Sequence, residues 1–152
     1  MVRSVALALL VACGSAPPRD VAHPAAADDP SNPFRDYPKT GVCANRPDDF
    51  GPFVLDARQA AMRYGLTAVK YTDAPSTQAK PVEVCGVRGE EDWLHSRQCA
   101  HGHPGQESDI RGDTGPGGQC GAIIDLFTIQ CPEGKVEILM DMYQCGPNER
   151  FM

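Results

Sequence analysis

Apolar and polar positions alternate most clearly near the end of the chain. Residues 123–131 and 136–145 are two runs rich in β-branched and aromatic side chains, separated by Pro132, Glu133, Gly134 and Lys135. That pattern predicts a β-hairpin with a four-residue loop. Its register sets Cys131 against Val136, Ile129 against Ile138 and Phe127 against Met140. Ile123, Phe127, Ile129, Ile138, Met140 and Met142 then share a nearly all-apolar face, and contact with a helix is expected there. The reverse face carries Ile124, Leu126, Leu139 and Tyr143 among polar residues, so partial cover is expected on that side too.

Upstream the period changes. Within 53–64, Val54, Ala57, Ala61 and Tyr64 fall on one stripe and Asp56, Gln59 and Arg63 on the opposite one, the spacing of an amphipathic helix. Pro52 suits its first turn, and Gly65 suits the position just past its end. Residues 66–72 and 81–87 read as strands. Residues 92–99 read as a third, with one or two helical turns over 90–96 as the alternative. Residues 100–121 carry Gly102, Gly105, Gly112, Gly115, Gly117, Gly118 and Gly121 with Pro104 and Pro116, and read as one long loop. The expected fold class is α+β: one helix packed on an antiparallel sheet of four to five strands.

Cysteine usage adds covalent staples to that picture. The chain has seven cysteines. Cys43, Cys85, Cys99, Cys120, Cys131 and Cys145 form an even set spread over the folded region, which reads as three disulfides in an oxidising compartment. The hairpin register places Cys145 diagonal to Cys120, so Cys120–Cys145 is the favoured pair; the other four cysteines leave three pairings open.

The seventh cysteine stands apart. Arg3 precedes eight uninterrupted apolar residues, Val5 to Ala12, a run shaped like a short signal peptide and too short to span a bilayer. It ends in Leu10-Val11-Ala12-Cys13, which resembles the lipobox of bacterial lipoproteins. The resemblance implies cleavage before Cys13, acylation of that cysteine with palmitate-type chains, and attachment to a membrane through the lipid. Gly14 stands where an aspartate would imply retention at the inner membrane, so the outer membrane is favoured. The division expected is a signal peptide over 1–12, a lipidated N-terminus and tether over 13–39, and a small domain with six cysteines over 40–152. The tether reading rests on six prolines between Gly14 and Pro38, which favour extended, unpacked chain. The stretch from Cys120 to Cys145, with Asp125-Leu126-Phe127, Cys131-Pro132-Glu133-Gly134 and Met140-Asp141-Met142-Tyr143, also resembles the closing hairpin of uncharacterised cysteine-bearing lipoproteins of predatory soil bacteria. That resemblance implies no activity.

Charge removes one class of partner. The net charge is −6, and loss of the first twelve residues would deepen it by one. An acidic chain with no Lys/Arg cluster in its sequence repels phosphate backbones, so nucleic acid is not expected as a partner.

Candidate chemistry is sparse. His95, His101 and His103, with Cys99, Glu107 and Asp109 nearby, are the one metal-like group in the sequence. Two of the histidines alternate and can share a face on extended chain. An oxidised Cys99 loses its thiolate, and two histidines do not complete a site, so a polar solvated loop is the favoured reading and no cofactor is expected. Asp109, Arg111 and Asp113 fail the calcium-loop pattern at its third and twelfth positions. Arg111-Gly112-Asp113 is a tripeptide that chance supplies readily in such a loop. Ser96 beside His95 would point to the opposite face on a strand. Asp125 falls on the apolar face of the hairpin, which would raise its pKa, or else it bonds to backbone amides of the glycine-rich stretch. Trp93, Tyr71 and Tyr143 could line a surface but more often fill a core. No catalytic constellation is complete. The expected function is therefore an exported, membrane-anchored envelope protein, non-catalytic, binding another protein or a small ligand or acting structurally. The alternative is a metal-binding protein or metal-dependent hydrolase using His95, His101 and His103.

Overall fold

The computed structural model describes residues 37, 39–46, 51–107 and 111–152. The expected signal peptide, Cys13 and nearly all of the tether lie outside the described residues. At its centre is the hairpin of β5 (Ala122–Cys131) and β6 (Gly134–Asp141). Val82 and Glu83 form β2, which runs parallel to β6 with Val82 opposite Met140. On the other side of β5 lie β3 (Gln106–Glu107) and β4 (Gly112–Gly117), both antiparallel to it. Phe53–Val54 (β1) pairs in parallel with Gln144–Cys145 (β7) in a separate small sheet. The sheet is mixed, so the expected all-antiparallel order holds only for the hairpin and its β3–β4 side.

The principal helix is α2 (Gly86–His95), within the stretch 81–99 that sequence periodicity divided mainly between strands. Glu90, Trp93 and Leu94 lie three and four residues apart and are all buried, so they form the stripe that faces the sheet. Gly89 lets the helix come close to the residue that follows β2, since a Cβ there would sit 3.2 Å from Val84 Cβ. The helix expected over 53–64 is only a short one, α1 (Ala57–Ala61). Asp56 caps it: its carboxylate accepts from Gln59 N at 2.8 Å, while Gln59 Oε1 accepts from Asp56 N at 2.9 Å. This capping box starts the helix at Ala57 and frees Phe53 and Val54 to pair with β7. The strand expected over 66–72 is replaced by turns, including a 3-10 turn at Tyr71–Asp73.

The hairpin register is two residues tighter than expected. Cys131 opposes Gly134, Ile129 opposes Val136 and Phe127 opposes Ile138. Gly134, at φ +137°, permits a two-residue loop in place of a four-residue one. A shift of two keeps every side chain on its expected face. Phe127, Ile129, Ile138 and Met140 enter a core with Trp93, Leu94, Tyr71 and Val84. On the reverse face, Ile124 and Ala122 enter a second core with Cys43, Phe53 and Cys120.

The disulfides are Cys43–Cys120, Cys85–Cys145 and Cys99–Cys131, with Cα separations of 5.4, 4.6 and 5.7 Å. The favoured Cys120–Cys145 pair is thus incorrect. The hairpin does not continue far enough to bring those residues together, because the chain turns after Asp141. The Asp141 carboxylate accepts from Tyr143 N at 2.9 Å and from Gln144 Nε2 at 2.7 Å. Gln144 N then bonds to Val84 O, which delivers Cys145 to Cys85. Cys120 stays on the other face and meets Cys43.

The glycine-rich stretch is packed rather than loose, in contrast to the single loop expected over 100–121. Gln78 clamps it: Nε2 donates to Gly115 O at 3.0 Å and Pro116 O at 2.9 Å, and Oε1 accepts from Thr114 Oγ1 at 2.6 Å. A Cβ on Gly117 would overlap Gln78 O and lie 2.6 Å from Ile124 Cγ1. Gly117→Ala is therefore expected to cost about 2 kcal/mol through overpacking, read as a lower urea midpoint with an unchanged slope. A midpoint equal to that of the parent would show that β4 yields at no cost. Packing also begins slightly before residue 40, since Tyr37 lies against Gly121 and donates to Pro116 O at 3.3 Å.

Candidate functional site

Among the described residues, two places gather ionisable side chains. The first lies between α2 and the sheet. Helical spacing from Trp93 and Leu94 turns Glu90 inward, and strand alternation puts Asp125 on the same inner face as Phe127 and Ile129. Glu90 is 1% exposed and Asp125 7%. Arg111, just ahead of β4, closes the cluster with Nη2 2.6 Å from Asp125 Oδ2 and 3.0 Å from Glu90 Oε2. The bond to Asp125 is a true hydrogen bond. The approach to Glu90 is an ion-pair contact without hydrogen-bond geometry, and neither Glu90 oxygen has a hydrogen-bond partner.

A proton on Glu90 resolves this arrangement. Burial, and then the negative charge of Asp125, push the Glu90 carboxyl from its usual 4.5 up to about 9, against the opposing pull of Arg111. A neutral Glu90 leaves no uncompensated charge in the core and offers a donor to the Asp125 carboxylate. Arg111 keeps its own proton more firmly because it hydrogen-bonds to Asp125. Asp141 is a third buried acid; burial lifts it from 3.8 to about 7, although Gln144 and the Tyr143 amide bond its carboxylate form. Of the two expectations for Asp125, the structure shows the buried carboxylate on the apolar face, and its partner is the Arg111 side chain. Glu90 was missed because it occupies a position that a pattern search reserves for an apolar residue.

The second place is a groove of about 520 Å³ between the outer flank of α2 and residues 148–152. Arg63, Arg88, Arg97 and Arg150 line it, with Asp92 and Glu149. Arg63 is tied up: its guanidinium makes two bonds of 2.8 Å to Glu149 and one of 2.6 Å to Gln144 O. Arg97 lies with its guanidinium carbon 4.9 Å from the centroid of the Trp93 ring and donates to Leu66 O at 3.0 Å and Ser96 Oγ at 2.7 Å. The four arginines are scattered in sequence, so no basic run announced them.

The histidines do not converge. His95, His101 and His103 are all exposed, His95 at the end of α2 and the other two after Cys99. Glu133, in the hairpin loop, accepts from Ala100 N at 2.5 Å, which lowers its pKa, with smaller contributions from His101 and His103. Among the described residues, the one group of three potential metal ligands within reach of one another is Cys99, Cys131 and Glu133, and those two sulfurs are joined. Asp109 lies outside the described residues. Ser96 Oγ donates to Trp93 O, away from any pairing with His95. Trp93 and Tyr71 are core residues with ring centroids 6.2 Å apart, while Tyr143 is half-buried and stacks on Phe151.

Among the described residues, no helix is long and apolar enough to cross a membrane. No protein-family model, curated protein or solved structure matches the chain.

Proposed function

We propose that this chain is exported, cut before Cys13, and held by lipid on that cysteine in the bacterial cell envelope, on the outer membrane by preference. There it acts as a non-catalytic binding or structural protein. The observation that carries the reading is the pairing of Cys43, Cys85, Cys99, Cys120, Cys131 and Cys145 in three disulfides. Such bonds persist in oxidising compartments, and the one cysteine left over is the one that ends the lipobox-like run. A binding role is favoured over catalysis by the character of the two ionic sites. Glu90, Arg111 and Asp125 face one another inside the fold, an arrangement that ties α2 to the sheet. The groove offers guanidinium groups, which stay protonated and hold anions rather than move protons.

Intact mass of the membrane-extracted native protein tests the address. The expected mass corresponds to a chain beginning at Cys13, carrying a diacylglyceryl group and an acyl chain, with three disulfides. Cys13→Ser is expected to move the protein from the membrane to the soluble fraction. An unmodified Cys13 in native protein would overturn the reading. The alternative, metal binding through His95, His101 and His103, has in its favour only the closeness of Glu133 to two of these histidines. Zinc retained through dialysis by the parent, and lost in His101→Ala/His103→Ala, would establish it.

A further inference from the structure

We propose that the groove beside α2 binds a small ligand carrying two oxyanions, phosphate or carboxylate, with Arg88, Arg97 and Arg150 as its cationic contacts. The inference deepens the binding half of the functional reading and rests on it.

The groove is more basic than the chain around it. Its acids are already committed or weakly placed. Glu149 is neutralised by Arg63, whose side chain is only 8% exposed. Asp92 is 3.9 Å from Arg88 with both side chains about three-quarters exposed, a pairing that water weakens. Among the described residues, that leaves the charges of Arg97 and Arg150 without a carboxylate partner, on a protein whose net charge is −6. A local excess of this kind acts at short range, because the field of the whole molecule does not draw anions toward it.

Arg97 is the oriented element. The Trp93 ring supports one face of its guanidinium, and Leu66 O and Ser96 Oγ fix its two terminal nitrogens. Its planar fork is therefore held before any ligand arrives, which lowers the entropy cost of binding. Its Nε is buried with no hydrogen-bond partner, and burial makes the group harder to keep charged. An oxyanion beside the guanidinium would offset that charge. The volume of about 520 Å³ is in the range of small-molecule sites and admits a ligand with two charged ends.

Calorimetric titration of the full-length oxidised chain with pyrophosphate, and separately with citrate, tests this at about 20 mM ionic strength. Saturable sub-millimolar binding of either is expected, and the comparison separates phosphate from carboxylate chemistry. Arg88→Gln/Arg150→Gln removes two exposed charges with no packing role and is expected to weaken binding about tenfold or more. Arg97→Lys keeps the charge but loses the fork, and is expected to weaken it as well. Lys135→Gln, on the hairpin, is expected to leave affinity unchanged. No saturable binding of either anion, or equal losses in the groove and hairpin variants, would overturn the proposal. Lipidation is read by mass, so its failure and the failure of anion binding are separate results.

Discussion

Reducing all three disulfides under otherwise native conditions is expected to unfold the domain at room temperature. The regular elements are too small to persist alone. The longest helix among the described residues has ten residues, and β1, β2, β3 and β7 have two each. Isolated helices of that length are marginal in water. The cross-links close sequence separations of 77, 60 and 32 residues. Each is worth about 4 kcal/mol in unfolded-chain entropy. The loops overlap, so the total falls short of the sum, yet it remains comparable with the roughly 5–15 kcal/mol that stabilises a typical domain. The loss should appear as collapse of the near-ultraviolet circular dichroism and disappearance of a cooperative urea transition. Cys43→Ser/Cys120→Ser alone, which opens the longest loop and disturbs the second core, is expected to cost about 4 kcal/mol. A reduced protein that keeps its cooperative transition and near-ultraviolet signal would show that apolar packing alone holds the fold.

Replacing Glu90 by glutamine is expected to stabilise the protein above neutrality. Glu90 binds its proton more tightly in the folded state than in the unfolded chain. Its contribution is therefore complete below about 4.5 and declines as pH rises toward about 9. The decline approaches about 1.4 kcal/mol per pH unit. Asp141, raised from 3.8 to about 7, adds a loss in the lower part of that window. Glu149 acts in the opposite sense: Arg63 lowers its pKa, so its contribution is present above the usual glutamate range and is lost in acid. The parent should thus be most stable in mild acid, near pH 5. Glutamine keeps the shape of the protonated side chain and can donate to Asp125 without ever ionising. At about pH 8, Glu90→Gln should gain on the order of 3 kcal/mol, with the pH slope reduced accordingly. At about pH 4.5 the two proteins should differ little. Urea titrations across this range decide the matter. An unchanged slope, or a variant weaker than the parent at pH 8, would place the proton somewhere other than Glu90.

The same residue shows how much of the fold was legible in the sequence. The hairpin could be read because Phe127, Ile129, Ile138 and Met140 alternate without interruption, and even a register error of two left their faces correct. Helix α2 could not be read in that way. Its buried stripe includes Glu90, and Gly86 and Gly89 sit at positions that lower helix propensity. Those glycines are present for close approach: Gly86 has a φ of +68°, and a Cβ there would press on Met152. The apolar stripe over 53–64 predicts too long a helix, because the Asp56–Gln59 capping box sets the start at Ala57. The disulfide pairing depended on a turn made by Asp141, a buried acid whose side chain bonds to the two residues that change direction. The candidate sites were the least visible part. Arg63, Arg88, Arg97 and Arg150 meet only after folding, and the histidines that stand close in sequence form no group of three metal ligands among the described residues.

The Cys43–Cys120 bond also shapes what a protease can accomplish. It joins the point where the chain enters the domain to the residues just ahead of the central strand β5. A single cut anywhere between those two cysteines nicks the backbone and releases nothing, because both fragments remain one molecule through sulfur. Separating the domain from the residues that precede it would then need a cut upstream of Cys43, and internal damage would stay hidden on a gel until reductant is added.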